Sequence, residues 1–83
     1  MARGKKEPPK KVVLPGGYVV QVVIVADPVY NLMFGPDTYA SWESDRRMVF
    51  LRASRRGKHR LADFAHEMQH AFIDWGDWFV TQK

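Results

Sequence analysis

The sequence predicts a small α+β domain in which an antiparallel sheet of about three strands packs on one long C-terminal helix. A run rich in β-branched residues and two shorter β-like runs lie in the first two thirds of the chain, and an apolar stripe at helical spacing follows in the last third. The order strand, strand, strand, helix is typical of α+β domains. The 83 residues are enough for one domain with one modest core.

Three segments are predicted to form strands. The run from Tyr18 to Ala26 is dense in valine and isoleucine and is stopped by Asp27-Pro28, which is typical of a buried strand. Two shorter β-like runs, Tyr39–Trp42 and Arg47–Arg52, flank the polar tetrapeptide Glu43–Arg46 and predict a hairpin. Residues 29–34 between them fit either a strand or a helix.

The predicted helix runs from about residue 61 to residue 75, where Gly76 is able to end it. Its apolar residues recur three, four and seven positions apart, as one face of a helix requires. These residues are Leu61, Phe64, Ala65, Met68, Phe72 and Trp75. On a helical wheel His66, His70, Asp63 and Asp74 lie on the opposite side, so the helix is predicted to have one core face and one polar face.

Charge divides the chain into a tail, residues 1–11, and a single domain, residues 12–83. The formal net charge is +4, and residues 1–11 alone carry five basic residues against Glu7. We expect a disordered basic arm, which either only solvates the chain or contacts nucleic acid or an acidic partner. The basic segment Arg52–Arg60 allows the same two interpretations, a solvated loop or a phosphate-binding surface.

Composition excludes several classes of protein. There are no cysteines, so disulfides and thiolate metal sites are excluded and any metal must bind to His, Asp or Glu. No apolar run reaches the roughly 20 residues that span a membrane, so we expect no membrane association. The basic start is not followed directly by the apolar core of a signal peptide, and a cytoplasmic location is expected.

The segment His66-Glu67-Met68-Gln69-His70 carries the predicted chemistry. Residues four apart stack on one helix face, so the imidazoles of His66 and His70 are able to converge on one ion, and imidazole nitrogen suits zinc. Zinc lowers the pKa of a water that it binds, and Glu67 beside the pair is placed to take the proton and pass it to a leaving amine.

These residues form the HExxH motif, and the segment from Leu61 to Trp75 resembles the active-site helix of zincin metallopeptidases, near the ImmA/IrrE-like and SprT-like groups of phages and bacteria. The resemblance implies zinc as cofactor, His66 and His70 as ligands, Glu67 as general base and a peptide or protein as substrate. It also implies that the strand before the helix, Arg47–Arg52, holds an extended substrate by strand addition.

The third zinc ligand is not identified by the motif. A metzincin has Gly and His at positions occupied here by Ile73 and Gly76, and a gluzincin has a later Glu, whereas none follows His70. Asp74 is the first candidate, as a ligand or as a residue that orients a histidine, although it lies about 12 Å from His66 along a straight helix. A bend at Gly76 would return Asp77 to the metal. Weaker candidates are Asp63, Asp45, Glu43 and His59.

Three functions follow from these patterns, in order of preference. The first is a phage-encoded zinc metallopeptidase of the host cytoplasm or the virion. The second is a non-catalytic zinc-binding structural or interaction protein, for example a phage particle component that contacts other particle proteins. The third is a basic nucleic-acid-binding module, whose affinity would fall steeply with added salt. The oxyanion donor of a peptidase is left open among Tyr30, Tyr39 and the arginines of the basic loop.

Overall fold

The computed structural model describes residues 7–81, which form a four-stranded mixed sheet packed against a long C-terminal helix. The strands are β1 (Lys11–Leu14), β2 (Tyr18–Val25), β3 (Ala40–Glu43) and β4 (Met48–Arg52). The helices are α1 (Asp27–Phe34) and α2 (Gly57–Val80). The predicted α+β class is confirmed, and the sheet has one strand more than predicted.

The sheet order is β1-β2-β4-β3. The sheet was predicted to be antiparallel, but only part of it is. The hairpins β1–β2 and β3–β4 are antiparallel, whereas the two central strands β2 and β4 are parallel. The reason is the connection: α1 carries the chain away from the end of β2, and the β3–β4 hairpin then returns with β4 beside β2. Parallel neighbours need such a crossover, and the sequence did not reveal that residues 27–34 supply it.

Strand β1 begins at Lys11, the last residue of the predicted tail, and it pairs with β2 through a tight turn at Gly16 and Gly17. Both glycines have positive φ, 89° and 80°, which a turn of this kind requires. Just before the strand, Pro8 is buried and Glu7 forms an ion pair with Arg60. The rest of the predicted tail, residues 1–6, lies outside the described residues.

The main core lies between one face of the sheet and α2. It contains the buried side chains Tyr18, Val20, Val49, Leu51, Met68 and Ala71. Arg47, at φ 56° in the β3–β4 turn, covers one end of this core with its guanidinium 4.0 Å from the centre of the Tyr18 ring. On the opposite face of the sheet, α1 packs Tyr30 and Phe34 next to Phe50. Within the described residues no helix is long and apolar enough to cross a membrane.

Helix α2 is longer than predicted, and the side of the helix that faces the sheet is rotated about the helix axis relative to the predicted apolar stripe. It continues as a helix through Gly76 to Val80, so the alternative in which a bend at Gly76 returns Asp77 to the metal is not what the structure has. Its buried residues are Glu67, Met68 and Ala71, whereas Phe72 and Ile73 are exposed. Apolar residues surround more than half of this helix, so the wheel alone did not fix which side meets the sheet. The predicted core residues Phe64, Met68 and Trp75 do pack in the core, whereas Phe72 is exposed and Glu67 is buried. The predicted division into one core face and one polar face is therefore only partly right.

Candidate metal and catalytic site

The HExxH residues lie near the middle of α2, where the helix passes over β3 and β4. His66 and His70 are both exposed, and their rings lie edge to face with centroids 5.2 Å apart. Two imidazoles that each give one nitrogen to the same tetrahedral zinc have ring centroids about 5 Å apart, given zinc–nitrogen distances of ~2.0–2.1 Å. The donor type and the spacing of this pair therefore fit a zinc ion.

Glu67 lies on the side of α2 that faces the sheet and is only 8% exposed. Burial raises the pKa of its carboxyl group above the ordinary value, and the charge of Asp63 raises it further, whereas His66 and His70 act to lower it. A carboxyl group with a raised pKa accepts a proton more readily near neutral pH than an ordinary glutamate does. This property suits the predicted general base.

A cleft of about 420 Å³ opens between α2 and the start of β3. It is lined by Thr38, Tyr39, Ala40, Asp63, His66 and Glu67. Strand β3 is an edge strand, because the sheet order leaves it with one neighbour, β4. The prediction that Arg47–Arg52 forms the substrate edge is therefore wrong: Met48–Arg52 form β4, which is an inner strand, and the edge beside the histidines is β3.

Asp63 and Asp74 are each held by another side chain of the domain. Both carboxylate oxygens of Asp63 accept hydrogen bonds from Arg55, at 2.9 and 3.1 Å. The indole Nε1 of Trp42 donates a 2.6 Å hydrogen bond to Asp74. Within residues 7–81, no cluster of three or more His, Asp or Glu side chains is close enough to share one ion. Asp74 as the third zinc ligand thus stays a prediction, and its observed contact ties α2 to β3.

The two tyrosines considered as oxyanion donors differ sharply in environment. Tyr30 is fully buried, and its hydroxyl is 2.8 Å from the Thr38 hydroxyl and 2.6 Å from the Ser41 hydroxyl, so it does not reach the cleft. Tyr39 is 61% exposed at the cleft, with the Arg55 guanidinium stacked 4.0 Å from its ring centre. Of the two, Tyr39 is the one that is able to meet a ligand in the cleft.

The arginines of the basic segment mostly bond within the domain. Arg52 is buried and donates to the carbonyl oxygens of Thr38 and Gly35 and to Asp27. Arg60 donates to the carbonyl oxygens of Arg55 and Ala53 and to Glu7. A guanidinium that is bonded in this way has few donors left for phosphates. Arg56 and Lys58 of the same segment are exposed, so the nucleic-acid interpretation stays a prediction.

The sequence could not reveal the contacts that shape the cleft. The pairs Arg55–Asp63 and Trp42–Asp74 join residues that are 8 and 32 positions apart. The only sequence pattern that pointed to them was acidic residues on the motif helix with basic and aromatic residues on the segments before it. Comparison of the chain with protein-family models, with curated proteins and with solved structures found no match.

Proposed function

We propose that this protein is a zinc-dependent metallopeptidase in which His66 and His70 hold the metal and Glu67 is the general base. The observation that carries the proposal is the pairing of the two histidines, at a ring separation of 5.2 Å, with a buried glutamate between them in sequence. Zinc, when bound, supplies Lewis acidity that activates water and polarises a peptide carbonyl group.

The chain's own residues account for the remaining steps of the proposal. The free edge of β3 binds an extended peptide through main-chain hydrogen bonds, as sheet edges do in strand addition. Such a peptide would run beside Tyr39 and Ala40, along the cleft that His66 and Glu67 also line. The carboxylate of Glu67 takes a proton from the attacking water and gives it to the leaving nitrogen. Tyr39 lines the cleft, and the Arg55 guanidinium stacks on its ring.

The fit of Glu67 to its role rests on its environment. A glutamate in contact with bulk water keeps an ordinary pKa and takes up protons poorly at neutral pH, whereas burial of Glu67 raises its pKa. Its neighbours on the helix, the two histidines, are exposed. The metal would then be accessible to substrate while the base is shielded by the sheet. The proposed place of action is the host cytoplasm or the virion, and it rests only on the resemblance of the motif helix to phage and bacterial metallopeptidases.

The test is turnover of unstructured protein and of a peptide mixture by the zinc-loaded chain, beside Glu67→Gln and a control variant, Lys58→Ala. Lys58 lies on the same helix, is exposed, and does not line the cleft. We expect Glu67→Gln to keep zinc but lose at least about 100-fold in turnover, the order of contribution that a general base makes. Lys58→Ala should remain active. Equal turnover by Glu67→Gln and the unsubstituted chain would refute the proposal.

A second candidate function, a zinc-binding interaction protein without catalysis, is favoured by one observation. The outer face of α2 exposes apolar side chains, with Ile73 at 64% and Val80 at 66%. Exposed apolar groups that cluster on one helix face are typical of contact surfaces. In this case the chain would bind zinc, and neither the unsubstituted chain nor Glu67→Gln would cleave peptides.

A further inference from the structure

The outer face of α2 carries two kinds of residue side by side. Viewed along the helix at about 100° per residue, Ile73 and Val80 lie near the middle of the exposed face. Phe72 and Phe79 lie on the flank toward β1. There the Phe79 ring lies 3.2 Å from the point that a Cβ atom would occupy if Gly16 had one. The opposite flank, toward β3, carries His66, His70 and Asp77, all of them exposed.

This arrangement is complementary to a second copy of itself. When two identical helices pack antiparallel about a two-fold axis, like flanks meet on the same side of the contact. The phenylalanine flank of one copy then meets the phenylalanine flank of the other, and the histidine flank meets the histidine flank. Apolar groups are buried against apolar groups, and an acidic carboxylate approaches two imidazoles.

The positions along the helix also match. If the two helices cross at Ile73, a residue four positions after the crossing point on one copy faces the residue four positions before it on the other. The partner's Asp77 then lies at the level of Gln69, between His66 and His70. Packed helices have axes about 8–10 Å apart, a gap that an aspartate and two histidines are able to span to one ion.

Resting on the proposed function, we infer that the chain forms a two-fold dimer through the outer face of α2, in which Asp77 of each copy completes the zinc site of the other. The inference accounts for two observations together. Within residues 7–81 of one copy, no His, Asp or Glu side chain forms a group of three with His66 and His70 that could hold a metal ion. The same helix face leaves Phe72, Ile73, Phe79 and Val80 exposed.

The first test is the mass of the unsubstituted chain in solution by light scattering, with zinc and with a chelator, at about 100 μM so that mass action favours association. We expect a dimer with zinc. Ile73→Asp should give a monomer, and because Ile73 is 64% exposed the fold should tolerate the change. Leu32→Asp is the matched control, since Leu32 is exposed on α1 and lies outside the proposed contact.

The second test mixes two variants, His66→Ala/His70→Ala and Asp77→Ala. Each alone should bind zinc more than about 10-fold more weakly than the unsubstituted chain, because loss of even a supporting partner costs that much. After mixing and exchange, half of the dimers are mixed and each holds one intact site, so about one zinc per four chains should bind.

If the mixture binds no more zinc than its separate components, the claim that Asp77 of the second copy binds zinc is refuted. If the zinc-loaded chain is a monomer, the claim that it forms a dimer is refuted as well. These results are distinct from failure of the proposed function. If the unsubstituted chain binds no zinc in any state, the metallopeptidase and the ligand in trans both fall. If it binds one zinc per chain as a monomer, only this inference falls.

Discussion

Replacement of Asp74 tests whether this residue ties α2 to the sheet or binds zinc. In the structure its carboxylate accepts a 2.6 Å hydrogen bond from the indole of Trp42 in β3, and both residues are partly buried. A hydrogen bond to a charged group contributes about 1.5–3 kcal/mol. Asp74→Ala should therefore lower the free energy of unfolding by about 2 kcal/mol, a large fraction of the stability of a domain this small.

The assay is urea unfolding of the metal-free chain followed by Trp fluorescence, beside Asp74→Asn and Gln69→Ala. Asp74→Asn keeps an acceptor for the indole but without charge, so it should cost about 1 kcal/mol. Gln69→Ala, exposed on the same helix, should stay within about 0.5 kcal/mol of the unsubstituted chain. Zinc affinity should be unchanged in Asp74→Asn. An Asp74→Ala variant of full stability that cannot bind zinc would refute this reasoning and make Asp74 a ligand.

Other variants follow from single contacts in the structure. Burial raises the pKa of Glu67 in the folded state, so the fold loses stability as pH rises through that pKa and the carboxyl group becomes charged. Glu67→Gln removes this charge and should therefore raise the melting temperature at neutral pH. In acid, where Glu67 is itself protonated, the variant and the unsubstituted chain should melt at similar temperatures. Arg52→Met leaves the carbonyl oxygens of Thr38 and Gly35 without this donor and removes the ion pair with Asp27, which keeps its bonds from Ser54. The change should cost about 3 kcal/mol in urea unfolding, whereas a loss below about 1 kcal/mol would contradict the assigned role of Arg52. Gly16→Ala should be more destabilising than Gly17→Ala in thermal melts. Both positions have positive φ, but only at Gly16 would the new Cβ meet aromatic rings, at 3.1–3.3 Å.

The sequence predicted the elements whose patterns are local. The valine-rich run became β2, and the two short runs around Glu43–Arg46 became the β3–β4 hairpin. Strand β1 was missed because its four residues alternate between exposed and half-buried positions and follow a basic segment that resembles a disordered tail. Helix α1 stayed ambiguous because it has only eight residues and only Tyr30 among them is buried.

The candidate site was predictable in its spacing and not in its surroundings. The i and i+4 histidines and the adjacent glutamate followed from one helix period. Burial of Glu67, however, depends on which side of α2 meets the sheet, and apolar residues on several sides left that open. The edge strand beside the site depends on sheet order, which a non-local parallel pairing determines. The resemblance to zincins therefore suggested β4 as the substrate edge, whereas the sheet order makes β4 an inner strand and β3 an edge strand.

The central claim, that His66 and His70 hold a zinc ion, is tested most directly by the metal content of the purified chain beside a His66→Ala/His70→Ala variant. Elemental analysis after zinc loading and removal of excess metal should give about one zinc per chain, and the variant should retain almost none. Both histidines are exposed, so the double substitution should leave the fold intact, which circular dichroism would check. Absence of zinc from the loaded, folded chain, or equal zinc in the two proteins, would contradict the claim.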